Sequence, residues 1–164
     1  PYFILVIFIT TCLVPGLIIG FFKLTKRVSN LDISQREQRI LPFFTTALFY
    51  GVTTYLFQQK IGLSKTLLVI MIAVTALLFL ILLISFWMKI SVHASGIWGI
   101  MGILSGLSIL HKIENPTFLL FAGFICAGIT VSSRLYLSAH TPKESWSGAV
   151  LGFTFCLASV YFFA

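Results

Sequence analysis

Residues 66–88 read TLLVIMIAVTALLFLILLISFWM, an uncharged apolar run that is long enough to cross a bilayer as an α-helix. A helix is expected because a segment in lipid must satisfy its own backbone hydrogen bonds. The same criterion gives six predicted spans: 2–22, 42–58, 66–88, 94–110, 117–137 and 145–163. We therefore predict an all-α integral membrane bundle of about six transmembrane helices, with residues 1–164 forming a single domain.

The composition agrees with a membrane protein. Of 164 residues, 59% are hydrophobic and 9% are charged, and the mean hydropathy of +1.06 lies far above that of soluble domains. The net charge of +7 favours contact with anionic lipid head groups or a phosphate-bearing substrate. No basic cluster is interleaved with aromatic residues, so we expect no nucleic-acid partner.

The cysteines and the first apolar run are interpreted as structural. Cys12, Cys126 and Cys156 lie inside apolar runs without paired spacing, so neither a disulfide nor a metal site is predicted. No basic region precedes residues 2–22 and no small-residue cleavage site follows them, which favours a spanning helix over a signal peptide. The absence of an initiating methionine leaves open that residues precede Pro1.

Six spans place the first, third and fifth connections (23–41, 89–93 and 138–144) on one face of the membrane. Most chemically versatile residues fall on that face: Arg36, Arg39, Lys89, His93, Arg134, His140 and Glu144. Functional chemistry is therefore expected there.

Glycines in two spans indicate close helix packing. The fourth span contains Gly96, Gly99, Gly102 and Gly106, and the sixth contains Gly148 and Gly152 at G-x-x-x-G spacing. Small residues at such spacing allow membrane helices to approach closely. A glycine-rich phosphate loop is disfavoured because no strand precedes these residues.

The segment SSRLYLSAHTPKESWSG, residues 132–148, gathers charge between two apolar runs. An unpaired Arg134 inside a span costs about 2.5–3.5 kcal/mol on insertion scales, so it needs a partner, a ligand or a route to the interface. His140 follows six residues later, just before a helix start that attracts anions.

Glu144 has two candidate roles in this segment. With Thr141 as N-cap and Pro142 at the first helical position, it completes a capping box. Four residues after His140, it also lies where a carboxylate orients an imidazole ring. We expect that one rotamer of Glu144 does not fully serve both roles.

Two further segments carry candidate residues. KISVHASG, residues 89–96, places Lys89 and His93 on the same face, although a lone interfacial histidine is more often a surface residue. In SQREQRILP, residues 34–42, Ser34 and Glu37 stand at the spacing of a capping box, so Arg36 and Arg39 are expected to share a helical face. An interfacial basic helix that touches lipid phosphates is the structural alternative.

These segments together resemble the type-2 phosphatidic acid phosphatase superfamily, whose signature is Lys-x6-Arg-Pro, Pro-Ser-Gly-His and Ser-Arg-x5-His-x3-Asp. The third part is matched by Ser133, Arg134, His140 and Glu144, with Glu144 where the family usually has Asp. The resemblance implies that His140 is a nucleophile that forms a phosphohistidine, Glu144 its orienting carboxylate and Arg134 a phosphate ligand.

The second part of the signature corresponds to Ala94-Ser95-Gly96, where Ile97 replaces the histidine that protonates the leaving group. We expect His93, one helical turn earlier, to take that role. The resemblance also implies that the Ser95 hydroxyl and the Gly96 N–H help to hold the phosphate.

The first part is degenerate. Arg39 and Pro42 are separated by two residues, and Asp32 stands where the family has lysine. Arg36 or Lys89 is expected to supply the missing cation.

The resemblance implies a metal-independent hydrolase that acts on a lipid phosphate or diphosphate without a cofactor, with membrane lipids as its surroundings. The expected location is the bacterial cytoplasmic membrane. The side of the membrane on which the site lies is left open. Arg36, Arg39 and Arg134 count toward the positive-inside rule, but the resemblance assigns them to phosphate binding. A phosphotransferase on the same scaffold and a non-catalytic lipid-binding or transport protein are the alternatives.

Overall fold

The computed structural model describes residues 2–25 and 40–164, with side chains from Leu5 onward in those ranges. Seven α-helices and one π turn, and no strand, are found in this described part. They are α1 (Tyr2–Phe8), a π turn (Ile9–Leu13), α2 (Val14–Leu24), α3 (Ile40–Ile61), α4 (Lys65–Ser85), α5 (Val92–Ile109), α6 (Thr117–Tyr136) and α7 (Pro142–Phe163).

Six helical segments of the described chain are long and apolar enough to cross a membrane. The first, Leu5–Leu24, joins α1 and α2 through the π turn, and the others coincide with α3 to α7. The predicted all-α fold with six transmembrane helices is therefore confirmed, and the chain is an integral membrane protein.

Helix boundaries differ from the hydropathy boundaries at several ends. Helix α7 begins at Pro142 because its polar first turn is a helix cap, whereas hydropathy detects only the residues that prefer lipid. Conversely, α4 ends at Ser85, and the apolar residues Phe86 to Met88 form turns in which the Met88 N–H donates to the Ile84 carbonyl.

The chain divides into two compact units, here called unit 1 and unit 2. Unit 1 comprises, in its described part, residues 2–25, 40–63 and 78–88, and its α3 packs against α2 and the π turn. Unit 2 comprises residues 64–77 and 89–164, and within it α5 packs most extensively against α7.

Glycines allow the close approach of α5 and α7. A Cβ atom added to Gly152 would overlap the Ser95 carbonyl, and one added to Gly148 would lie 2.6 Å from the Ser91 carbonyl oxygen. A Cβ on Gly102 would likewise overlap the Phe153 carbonyl. The predicted packing role is confirmed for these glycines.

Gly99 and Gly106 also lie against neighbouring atoms, but Gly96 does not. A Cβ at Gly99 would meet the Cys156 sulfur at 3.3 Å, and one at Gly106 would meet a Val160 methyl at 2.9 Å. In the part of the chain that the structure describes, no neighbouring atom lies within 4 Å of a Cβ built at Gly96. The packing prediction is therefore wrong for Gly96, because this residue faces away from α7.

Candidate active site

The connection between α6 and α7 is a helix-ending motif followed directly by a helix cap. The Ala139 N–H donates to the Arg134 carbonyl at 3.1 Å, and the Ser138 N–H donates to the Leu135 carbonyl at 3.0 Å. Ser138 has φ +51°, the left-handed conformation that this type of helix end requires. The chain reverses there and brings His140 to the start of α7.

The predicted capping box at the start of α7 is confirmed. The Thr141 hydroxyl accepts from the Glu144 N–H at 3.3 Å, and Glu144 Oε2 accepts from the Thr141 N–H at 3.3 Å. Pro142 occupies the first helical turn, where its missing N–H costs nothing. Local sequence therefore determines the position of the Glu144 carboxylate.

The same Glu144 oxygen also bonds to His140. Its Oε2 lies 2.8 Å from His140 Nδ1, and the His140 side chain is only 4% exposed. The expectation that one rotamer does not serve both roles is wrong, because the Thr141 N–H and the His140 ring approach a single oxygen from adjacent residues. Since a carboxylate only accepts, neutral His140 donates its Nδ1 hydrogen and carries its lone pair on Nε2.

Lys89 brings a positive charge to this pair. Its Nζ lies 3.7 Å from Glu144 Oε2 and donates a hydrogen bond to the Ala139 carbonyl at 3.0 Å. One side chain thus contacts both the loop that precedes His140 and the carboxylate that orients it. The structure therefore brings together three of the predicted site residues, Lys89, His140 and Glu144.

Ser91 joins the starts of α5 and α7, although it is not among the residues that the sequence predicts for the site. Its N–H donates to the Glu144 carbonyl at 3.2 Å, and its hydroxyl accepts from the Ala94 N–H at 3.3 Å as the N-cap of α5. A serine just before an apolar run is an N-cap signal. The bond to Glu144, however, depends on packing between helices.

Ser95, Gly96 and His93 lie in the first turns of α5. The Ser95 side chain is fully buried and donates its hydroxyl hydrogen to the Ser91 carbonyl at 3.0 Å. A contact between this hydrogen and a phosphate therefore requires that bond to break. His93 and Gly96 are exposed, and no neighbouring atom of the described residues lies within 4 Å of a Cβ built at Gly96.

Arg134 is half-buried in the last turn of α6, and its carbonyl anchors the loop before His140. Exposed Tyr136 and Trp146 lie in the last turn of α6 and the first turns of α7. Because such aromatic residues concentrate at the membrane–water interface, this end of unit 2 is interfacial in character.

Arg36 and Arg39 lie outside the described residues, as do Asp32 and the predicted capping box at Ser34 and Glu37. Their predicted roles therefore stay predictions. Pro42 is described and is buried near the start of α3.

The chain matches no protein-family model, no curated protein and no solved structure. The resemblance to the type-2 phosphatidic acid phosphatase superfamily thus rests on the residues themselves and stays a prediction.

Proposed function

We propose that this chain is a metal-independent membrane phosphatase that hydrolyses a lipid phosphate or diphosphate through a phosphohistidine on His140. The bond of 2.8 Å between His140 Nδ1 and Glu144 Oε2 carries the proposal. It supports a nucleophilic role because it directs the imidazole lone pair to Nε2, the atom that would attack phosphorus.

The proposed reaction has two displacement steps. In the first, His140 Nε2 forms a bond to phosphorus, the ester P–O bond breaks, and the departing alcohol takes a proton from His93. In the second, His93 accepts a proton from water, the water oxygen bonds to phosphorus, and the P–N bond breaks. The histidine and the proton donor are then regenerated.

Charge at the site supports this chemistry. Lys89 Nζ, 3.7 Å from the Glu144 carboxylate, balances part of the negative charge that accumulates beside a bound phosphate. Arg134, in the preceding helix end, is proposed to bind phosphate oxygens, for which its forked guanidinium is well suited. Helix α7 adds the favourable potential of its N-terminus.

The interfacial character of this end of unit 2 favours a lipid substrate. Exposed Tyr136 and Trp146 indicate the depth of the head-group region. A phosphate held near His140 would then stay attached to a tail in the bilayer. We propose the bacterial cytoplasmic membrane as the location.

The test is release of phosphate from a panel of lipid phosphates and diphosphates by purified protein in the presence of a chelator. We expect release by the wild-type protein and none above background by His140→Asn. The matched control is His111→Asn, because His111 has φ +53° at the end of α5 and asparagine tolerates that conformation. Its activity should equal the wild-type activity.

A trapping experiment tests the intermediate separately. Brief incubation with a substrate labelled on phosphorus should label the protein with an acid-labile, alkali-stable bond that His140→Asn lacks. Wild-type protein that releases no phosphate from any substrate would favour the non-catalytic alternative. Transfer of the label to an added alcohol would identify a phosphotransferase.

A further inference from the structure

Unit 1 contains a groove that the proposed reaction does not use. It lies between the first transmembrane segment and α3, with a volume of about 460 Å³, within the range of about 300–1,000 Å³ that is typical of ligand sites. We call it the unit 1 groove. It is lined by Val6, Thr10, Thr53, Leu56, Phe57, Lys60 and Ile61.

The walls of the unit 1 groove offer no free hydroxyl hydrogen from Thr10 or Thr53 to an occupant. The Thr10 hydroxyl donates to the Val6 carbonyl at 2.8 Å, and the Thr53 hydroxyl donates to the Phe49 carbonyl at 2.7 Å. Both hydroxyl hydrogens are thus used within their own helices, so the groove favours a hydrocarbon occupant over a polar one. Leu56 and Ile61, 48% and 53% exposed, leave its edge accessible.

The π turn forms part of this wall. The Val14 N–H donates to the Ile9 carbonyl, which accommodates one more residue than an α-helical turn, and Thr10 lies inside that turn. Such turns frequently occur at functional sites. The irregular helix and the groove are therefore found at the same place.

A cation stands at one end of the unit 1 groove. Lys60 lies in the last turn of α3, is exposed, and makes no ion pair or hydrogen bond with another described residue. The described part of unit 1 contains Lys23 and Lys60 but no carboxylate. A membrane-end lysine without an acidic partner attracts anionic head groups.

The position of Lys60 matches the orientation of a phospholipid. Lys60 is next to the final residue of α3, and Thr53 lies seven residues deeper, about 10 Å along the helix axis. A phosphate at Lys60 would therefore stay at the membrane surface while an acyl chain extends along the groove toward the bilayer interior. We propose that the unit 1 groove binds one acyl chain of an anionic phospholipid whose phosphate pairs with Lys60.

The experiment compares two lipids with identical acyl chains. Protein is reconstituted in equal amounts of phosphatidylglycerol and phosphatidylcholine, extracted in mild detergent, and analysed by native mass spectrometry for retained lipid. The wild-type protein should retain phosphatidylglycerol preferentially. Lys60→Gln should lower the ratio of the two retained lipids about fivefold, the change that corresponds to about 1 kcal/mol for one lysine at a membrane surface.

Three variants make the result specific. Lys60→Arg should keep the preference, and Lys65→Gln should not change it, because Lys65 is an exposed lysine outside the groove lining. Val6→Trp fills the groove from its lipid-exposed edge and should reduce retention of both lipids.

Equal retention of both lipids by the wild-type protein would overturn the proposal. So would equal effects of Lys60→Gln and Lys65→Gln, which would assign the preference to the basic surface as a whole. Unchanged retention in Val6→Trp would place the lipid elsewhere. These readouts require no phosphatase activity and so are independent of the proposed reaction.

Discussion

Replacing Gly152 by alanine adds one carbon at the closest approach of α5 and α7. The new Cβ would overlap the Ser95 carbonyl oxygen and would lie 2.8 Å from its carbon and 3.0 Å from the Ser95 Cα. These neighbours are backbone atoms, so no side-chain rotation relieves the overlap. The two helices must move apart.

The size of the effect follows from these distances. Ordinary van der Waals contact begins near 3.4 Å, and the carbonyl oxygen lies closest of the three atoms, so the helices must separate by about 1 Å. A gap of that size forfeits about half of each dispersion contact along the interface. Overpacking of this kind typically costs about 1–3 kcal/mol. We expect the free energy of unfolding to fall by about that amount.

Gly96→Ala is the matched control, because a Cβ at that position of α5 has no neighbouring atom within 4 Å among residues 2–25 and 40–164. Alanine favours the helix over glycine equally at both sites, so the difference between the two variants reports packing alone. The assay is unfolding in mixed micelles with increasing SDS, followed by tryptophan fluorescence. Trp98 is a suitable reporter, since its ring lies 6.1 Å from that of Phe153 across the same interface.

A difference of less than about 0.5 kcal/mol between the two variants would refute the reasoning, because ordinary surface substitutions produce changes of that size. It would mean that α5 and α7 are not in contact at Gly152. If the helices do separate, the hydrogen bond from Ser91 to the Glu144 carbonyl should weaken as well. Any phosphatase activity is then expected to fall with stability.

Three other changes test the site. Glu144→Gln keeps an acceptor for the capping box, so the free energy of unfolding should change by less than about 1 kcal/mol. The rate of phosphate release should fall about 10²- to 10⁴-fold because His140 loses its charged partner. Equal rates of phosphate release by the wild-type protein and Glu144→Gln would contradict the orienting role. Lys89→Met removes a partly exposed charge-assisted hydrogen bond and should lower the free energy of unfolding by about 1 kcal/mol in the same SDS titration. Ser138→Gly relieves the strain of the left-handed backbone at φ +51° and should raise the free energy of unfolding by about 0.5–1 kcal/mol. The control Ser132→Gly, inside α6, should lower the free energy of unfolding. Stabilisation by both substitutions would disprove the conformational explanation.

The spans were predictable because each depends on a local property, the transfer of about 20 apolar residues into lipid. The capping box of Thr141 and Glu144 was also predictable, since its partners are three residues apart in the chain. The left-handed backbone conformations of Ser138 and His111 were not, because neither position carries the glycine that usually marks a left-handed helix end.

The relation between Glu144 and its neighbours was only partly predictable. The sequence suggested that Glu144 either orients the His140 ring or caps α7. In the structure, Glu144 Oε2 bonds both to His140 Nδ1 and to the Thr141 N–H. The contacts of that carboxylate and its carbonyl with Lys89 and Ser91 come from a different part of the chain. No local pattern contains that information.

Sequence alone therefore specified the membrane environment, the all-α fold, the six spans and the residues that mark one interfacial segment as chemically unusual. Each of these depends on the apolar length, charge or capping preference of neighbouring residues. Three-dimensional packing determined that Lys89 and Ser91 meet His140 and Glu144, and that Ser95 is buried against Gly148 and Gly152. The physical reason is that these contacts depend on the small separation of α5 and α7, which arises only when the glycines of each helix lie against the other helix.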